Sequence, residues 1–500
     1  MLIFSIFFYF ASIFIGSGVS FAATHYISPT GSDSNFGTNA APWATFSKAF
    51  SSMTAGDTLI IKNGTYNQLF TSPPNGTPSA YTTVKAENDG GVIITGGLQL
   101  IHTNAYLIFE GLRFQDSTDK IILGNHIKFL RTEFKGGCAS GNCSNVAVGS
   151  NDYNDTAYIL FEDVWSHGLG GRYNFQIFNS DYVILRRVVI RHDGGWTDTK
   201  GDPEAGINFY NTSNSLAENV IVIDSNLNYH SWMASFAALY NSNSGPHQAN
   251  DNRFIGSMTL VGENVGLTLG DSLRTEITDS VFWDTKNGGI SFGGSGTNSA
   301  TINRVTIGRS KIAPSGDWMG GIGAWNFGAK TISNAVIANW ITGSDLDGVS
   351  ASYFDTYNNL NISAGTGVKT YNPQTNGLKY LPRVETGSNL SHDGSGGGQM
   401  SANIVSKIGI SGSLYGETGY SSTTAEVLWP WPYEVRIKKE MCTDVGITRG
   451  FCANGNGLYG GPLTLTSYVW EYLGNACPTG VCAVVSDTTP PAAPSGLIVI

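Results

Sequence analysis

Three observations predict an all-β fold wound as a solenoid of parallel strands. First, the 500-residue chain holds 63 Gly and only 13% charged residues, with Val, Ile, Phe and Tyr filling the apolar runs. That mixture favours many short strands joined by tight turns. Second, one pattern returns along the chain, as in "YLIFEGLRFQDS" (106–117), "HIKFLRTEFKGG" (126–137), "YILFEDVWSHG" (158–168) and "YVILRRVVIRHDG" (182–194). Each unit alternates apolar and polar positions and then turns at Gly, Asn or Asp, the period of a half-buried strand. Third, equivalent anchors at Phe109, Phe129, Phe161, Leu185, Ala217, Phe254, Ile277, Ile302 and Ile332 are separated by 20, 32, 24, 32, 37, 23, 25 and 30 residues. Steps this unequal exclude a propeller or a leucine-rich array. They suit a parallel β-helix, whose strands stay in register about 4.8 Å apart while the loops vary in length. A β-sandwich, the alternative, lacks such a same-direction repeat.

The elements follow in chain order. Residues 1–22, "MLIFSIFFYFASIFIGSGVSFA", are an apolar run ending in the small-x-small tripeptide Ser20-Phe21-Ala22, the pattern of a secretory signal peptide. No later stretch is apolar enough to span a bilayer. Residues 24–66 are expected to form the N-terminal cap and first coil. In them "PWATFSKAFSSM" is a short amphipathic helix covering the open end of the solenoid, and "GDTLIIKNGTY" is the first strand and turn; capping hides strand edges that would otherwise stay unpaired. Residues 67–385 are expected to be the coil, and residues 386–412, with "GSNLSHDGSGGGQMS", a flexible linker. Residues 413–482 predict a C-terminal cap with two short helices, in "LWPWPYEVRIKKEMC" and "TLTSYVWEYLG", the second burying Val469, Trp470, Tyr472 and Leu473. Residues 483–500 end in "SDTTPPAAPSGLIVI", which resembles the linker and first strand of a fibronectin type III module, here expected to be truncated.

Cysteines fall in the local pairs Cys138/Cys143, Cys442/Cys452 and Cys477/Cys482. An even number in an exported chain, with no CxxC and no His nearby, favours disulfides over metal ligation, although sequence alone leaves their connectivity open. The net charge of −10 argues against nucleic acid as a partner. It also means that a polyanionic substrate needs local Lys and Arg, or a bound cation. A monomer is expected.

The stretch 26–66 carries Tyr26, Ser28, Gly31, Asp33, Gly37, Thr38, Pro42, Trp43, Thr45, Ala49, Gly56, Asp57, Gly64, Thr65 and Tyr66. In these positions it resembles the opening module of secreted right-handed parallel β-helix proteins of the pectate-lyase-like superfamily. The resemblance implies a right-handed coil, an extracellular location and a polysaccharide partner. It leaves the chemistry open, because lyases, hydrolases, epimerases and noncatalytic surface proteins share the module.

Chemistry is concentrated in "IRHDGGWTDTKGDPEAG" (190–206). The register is expected to stack Gln115, Lys135, His167, His192, Asp224, Asp284, Arg309 and Asn339 into one column just past a strand end. That column would line a groove suited to a long polymer, with Trp196, Trp232, Trp283, Trp318 and Trp325 placed to stack on sugar rings. For a polysaccharide lyase, the base is His192, Lys200 or His167, and Arg191 and Arg172 bind the substrate carboxylate bidentately. Asp193, Asp198, Asp202 and Glu204 are the candidate Ca²⁺ ligands, while Asp224 and Asp284 line the substrate. The local "HDGGWTD" is similar in part to the Asp-Asp-Gly-Trp-Asp ligand motif of a calcium-dependent lyase family with this fold, with His192 in place of the first Asp and one extra Gly. The alternative is a glycoside hydrolase using Asp224 with Asp193, or Asp284 with Glu263. A third possibility is a noncatalytic glycan-binding or adhesion protein. Asn179, Asn211, Asn219 and Asn334 are expected at coil corners, where Asn side chains satisfy turn backbone.

Overall fold

The structure is a computed structural model that describes residues 22–137, 143–168, 172–193, 204–225, 233–245, 247–262, 264–294, 296–311, 320–324, 328–340, 346, 349–359, 365–443 and 448–482. Residues 1–21 of the expected signal peptide and the 483–500 tail lie outside them.

The chain winds as a parallel β-helix with three strands per coil. One turn comprises Ala157–Glu162, Trp165–His167 and Tyr173–Phe178. Each strand pairs in parallel with its counterpart in the next coil, which generates three ladders. In the later coils the first and second strands run together, as in Thr275–Trp283 and Ala300–Gly308. The coil is right-handed, the hand that connections between parallel strands almost always take. All nine anchors are successive register partners on the first ladder, from Phe109 through Phe161 and Ala217 to Ile332. Inside the coil Phe109, Phe129 and Phe161 stack with ring centroids 4.9 and 5.2 Å apart, about one strand spacing per ring.

Tight corners explain why Gly, Asn and Asp punctuate the repeat. Between the first and second strands one residue per coil is left-handed, including Gly111, Asn219, Asp279 and Asn334, residue types that tolerate positive φ. Asn179 and Asn211 hold the same conformation after the third strand, so all four Asn expected at corners lie there. Where Arg131, Arg187 and Arg304 occupy the first corner, a carboxylate ties each one. The pairs are Arg131–Asp89 at 2.6 Å, Arg187–Asp163 at 2.7 Å and Arg304–Asp279 at 2.6 Å.

The predicted N-terminal helix is α1, Phe46–Ser52, with Thr45 as its N-cap accepting a hydrogen bond from the Lys48 backbone. Its buried Phe46 packs edge-on against Phe70 at 5.0 Å and closes the end of the coil. The two predicted C-terminal helices are α2, Glu434–Met441, and α3, Leu465–Glu471, with Val469 and Trp470 buried as expected and Tyr472 and Leu473 half-buried. Disulfides join Cys442 to Cys452 and Cys477 to Cys482. Cys143 is also disulfide-bonded, while Cys138 lies outside the described residues. No helix among the described residues is long and apolar enough to cross a membrane.

One expectation changes. Residues 386–412 are laid along the coil instead of hanging as a flexible linker. Leu390, Met400, Ala402 and Ile404 are buried, and corner residues hold the backbone: Ser395 donates to Asn334 at 2.8 Å and Ile408 to Asn219 at 2.8 Å. Scattered apolar residues and exposed corner acceptors are enough to dock a Gly- and Ser-rich segment.

From there the chain doubles back. Leu414 packs on Leu160, Ile184 and Leu216 of the first ladder's outer face. Trp429, Trp431, Ile437, Met441, Phe451 and Trp470 then cover Trp165, Ile221, Ile223, Leu260 and Trp283 on the second. The second ladder is therefore buried on both faces, which is why "NVIVID" (219–224) is a continuous apolar run without alternation.

Candidate functional site

The second strand of each coil ends at a corner, and the expected column lies there under the C-terminal segment. His167 is the register neighbour of Lys135, and the pairing of Ser166 with Ile190 sets it beside Arg191, not His192. The expected column therefore mixes two registers. His167 is six residues past Phe161 whereas His192 is seven past Leu185, and a one-residue slip turns a strand side chain to the opposite face.

His167 and Glu133 form a fully buried pair, Nε2 to Oε1 at 2.9 Å. Gln115 donates to Glu133 at 2.7 Å and Arg113 at 2.5 Å. Burial pushes the Glu133 carboxyl up, but the hydrogen bonds from His167 and Arg113 prevail and hold it at about 2. His192 is fully buried. Arg191, also fully buried, pairs with Asp193 at 2.8 Å and donates to the Met441 carbonyl at 2.8 Å.

Asp193, an expected calcium ligand, accepts instead from Arg191, from Arg449 at 2.7 Å and from the Gly168 backbone at 3.0 Å. Two guanidinium groups on one carboxylate repel a further cation, so Asp193 does not fit a calcium site. Asp198, Lys200 and Asp202 lie outside the described residues. Glu204 opens the strand Glu204–Tyr210. Among the described residues no group of three or more His, Cys, Asp and Glu is arranged to hold a metal ion.

Asp224 and Asp284, expected to face substrate, face the cap. Asp224 accepts from the Phe451 backbone at 2.9 Å and the Tyr468 hydroxyl at 2.8 Å. Burial pushes its carboxyl up to about 6 against those bonds. Asp284 accepts from the Tyr472 hydroxyl at 2.7 Å and from the Ser310 backbone at 2.7 Å. Trp283 is buried beneath the same segment and donates to Ser310 at 3.1 Å. Trp196, Trp232, Trp318, Trp325 and Glu263 lie outside the described residues. The corner is thus a polar latch between coil and cap, with its carboxylates engaged and shielded.

A different face lies outside the cap. Among the described residues the covering segment packs on the first two ladders and their corners, and the third ladder's outer face carries small and polar side chains. Gln176, Asn208, Ala237, Thr268, Ser291 and Gly323 are successive register partners along it. Gln176 and Thr268 are half-buried, as is Tyr210, whose ring lies 5.5 Å from Phe178, whereas Asn208, Ala237 and Ser291 are buried. Arg172 stands at the entry to this face with its guanidinium 5.0 Å from the centre of the Tyr173 ring. Its carbonyl accepts from the Ala205 backbone at 3.2 Å, so Glu204 begins the adjoining coil. Of the predicted set, Arg172 and the backbone of Glu204 are the residues brought to this face. Anchors on the first ladder alone leave the Gln176 column out. Its signal is a second alternation, in "YNFQIF" (173–178), "GINFY" (206–210) and "VGLTLG" (265–270).

Comparisons with known proteins bear on this coil. Residues 42–133 match the family model for chondroitinase B. The chain is 30% identical over 131 residues to the uncharacterized protein YwoF of Bacillus subtilis (strain 168), a match covering 25% of this chain and 27% of that protein. Among solved structures, XylC in complex with xylose is similar with a TM-score of 0.48 and 10% identity, over 70% of this chain and 87% of that one. The pectate lyase Pel9A gives 0.39 and 16% over 77% and 96%. A mannuronic acid specific family 6 polysaccharide lyase from human gut microbiota gives 0.38 and 14% over 71% and 83%.

Proposed function

We propose that this protein is an exported carbohydrate-active enzyme that cleaves an acidic polysaccharide by β-elimination on the outer face of the third ladder. The observation that carries this is the polar column Gln176–Asn208–Thr268–Ser291 on a face the cap does not pack against, where Gln176 and Thr268 reach solvent while Asn208 and Ser291 are buried, with Arg172 at its entry. The partial match to the chondroitinase B model supports the substrate class, and the disulfides suit an oxidising compartment.

In this reaction a base removes the proton α to the uronate carboxylate. The C–H electron pair becomes the ring double bond, the glycosidic C–O bond breaks, and the departing oxygen takes up a proton. The chain must supply a base and a positive charge to stabilise the carboxylate as the carbanion develops. Arg172 is assigned that charge and Lys200, which lies between Asp193 and Glu204 in sequence, the base. Trp196 and Trp232, which precede the strands Glu204–Tyr210 and Met233–Leu239 in sequence, are assigned to sugar stacking. His167, Arg191 and His192 are not assigned, because they are buried under the cap. The hydrolase alternative is disfavoured, since Asp224 and Asp193 are both buried and bound by cap residues.

The test is the absorbance of unsaturated products from a panel of uronic-acid polysaccharides, with and without Ca²⁺. Lys200→Ala is expected to lower the rate at least ~100-fold, the usual worth of a general base, with an unchanged thermal melt. New reducing ends without absorbance would instead establish hydrolysis.

A further inference from the structure

A cavity of about 1180 Å³ lies at the opposite corner of the coil, where α2 crosses the junction of the first and second ladders. It exceeds the roughly 300–1,000 Å³ usual for small-molecule sites and is elongated along the coil. Ile60, Lys85 and Glu110 in its lining are register partners on consecutive coils, with Asp163 and Arg187 two and three coils further on. Five strand spacings make this about 24 Å. The facing wall is Tyr433, Val435, Arg436 and Lys439.

The lining has unused positive charge. Its carboxylates are largely neutralised, with Asp89 on Arg131 at 2.6 Å, Asp163 on Arg187 at 2.7 Å, Glu440 on Arg436 at 2.7 Å and Glu110 also on Arg131. Among the described residues, Glu87 alone of the lining acids has no ion pair, whereas Lys85 and Lys439 make none and both reach solvent. Solvent-reaching lysines without ion pairs on both walls of a long cleft, Lys85 on the coil and Lys439 on α2, are the complement of a chain bearing repeated anions.

We infer that this coil–cap groove is a second polysaccharide site, which holds a carboxylated or sulfated stretch of the polymer away from the third ladder. The inference rests on the acidic-polysaccharide reading above, but it concerns binding, not cleavage. Isothermal titration of the whole protein with hexagalacturonate and with chondroitin sulfate hexasaccharide tests it, with neutral maltohexaose as control. Binding of at least one acidic hexamer is expected, weakening as salt rises. The double variant Lys85→Glu/Lys439→Glu, at solvent-reaching positions, is expected to lose at least tenfold in that affinity while its thermal melt stays unchanged. Equal affinity and salt dependence in the variant, or no binding of either acidic hexamer by the native protein, would overturn the groove. Weakened binding in the variant with no unsaturated product from any polymer would overturn the catalytic proposal and leave the groove standing.

Discussion

Asp224 ends its strand in the left-handed conformation, with φ of 50°. Its carboxyl meets the Phe451 backbone and Tyr468 hydroxyl, 227 and 244 residues away in sequence. Burial raises it from 3.8 to about 6, and the sign of the linkage follows. A carboxyl whose folded value is raised holds its proton more tightly in the native state, so the native state loses stability relative to the unfolded one as pH rises from about 4 to about 6. Asp224→Asn keeps an oxygen to accept from Phe451 and removes the titration. Denaturant titrations from pH 4 to 7 are expected to show the variant gaining on the native protein by up to about 3 kcal/mol across that window. Parallel pH dependence in the two proteins would refute the assignment. Asp193 is just as legible as a charged residue and just as misleading, because only its contacts with Arg191 and Arg449 mark it as an ion-pair centre.

At the level of the element, the ladders depend on side chains that interlock across a narrow coil. Gly266, Gly289 and Gly321 stack at the inner corner of the third ladder, opposite Phe282, Ile307 and Ile337. A Cβ on Gly289 would lie 2.3 Å from Ile307 Cγ2 and 2.6 Å from the Gly321 carbonyl oxygen. Gly289→Ala is therefore expected to cost about 1–3 kcal/mol by overpacking. Gly293→Ala, with nothing within 4 Å of its Cβ, serves as the neutral control in the same denaturant experiment. The first ladder was fully legible because each anchor obeys a period-2 pattern set by its own strand. The third ladder was less so, since "MASFAALY" (233–240) and "GISFGG" (289–294) place small residues on both faces, and small residues carry little of the contrast that reveals an inside and an outside.

Over the whole molecule, coil and cap act as one folding unit. The apolar outer face of the second ladder, from Trp165 to Val336, is covered by residues that follow the coil in sequence. Ending the chain at Asn359 would expose that face, and a contiguous apolar surface of this kind drives association. Such a truncation is expected to be aggregated or insoluble, whereas the chain through Cys482 is expected to elute as a monomer; size-exclusion chromatography distinguishes the two. A soluble, folded coil lacking the cap would show that the cover is dispensable.

The sequence by itself determined the coil, the register of its first ladder, its corner residues and the helices at both ends, because each is set by periodicity and turn chemistry within a few tens of residues. Only the tertiary structure decided which sheet faces the cap covers. The segment after residue 365 folds back over the first two ladders, so the corner acids become a latch and the third ladder lies outside that cover. That choice depends on surface complementarity between stretches more than two hundred residues apart, which no local pattern encodes.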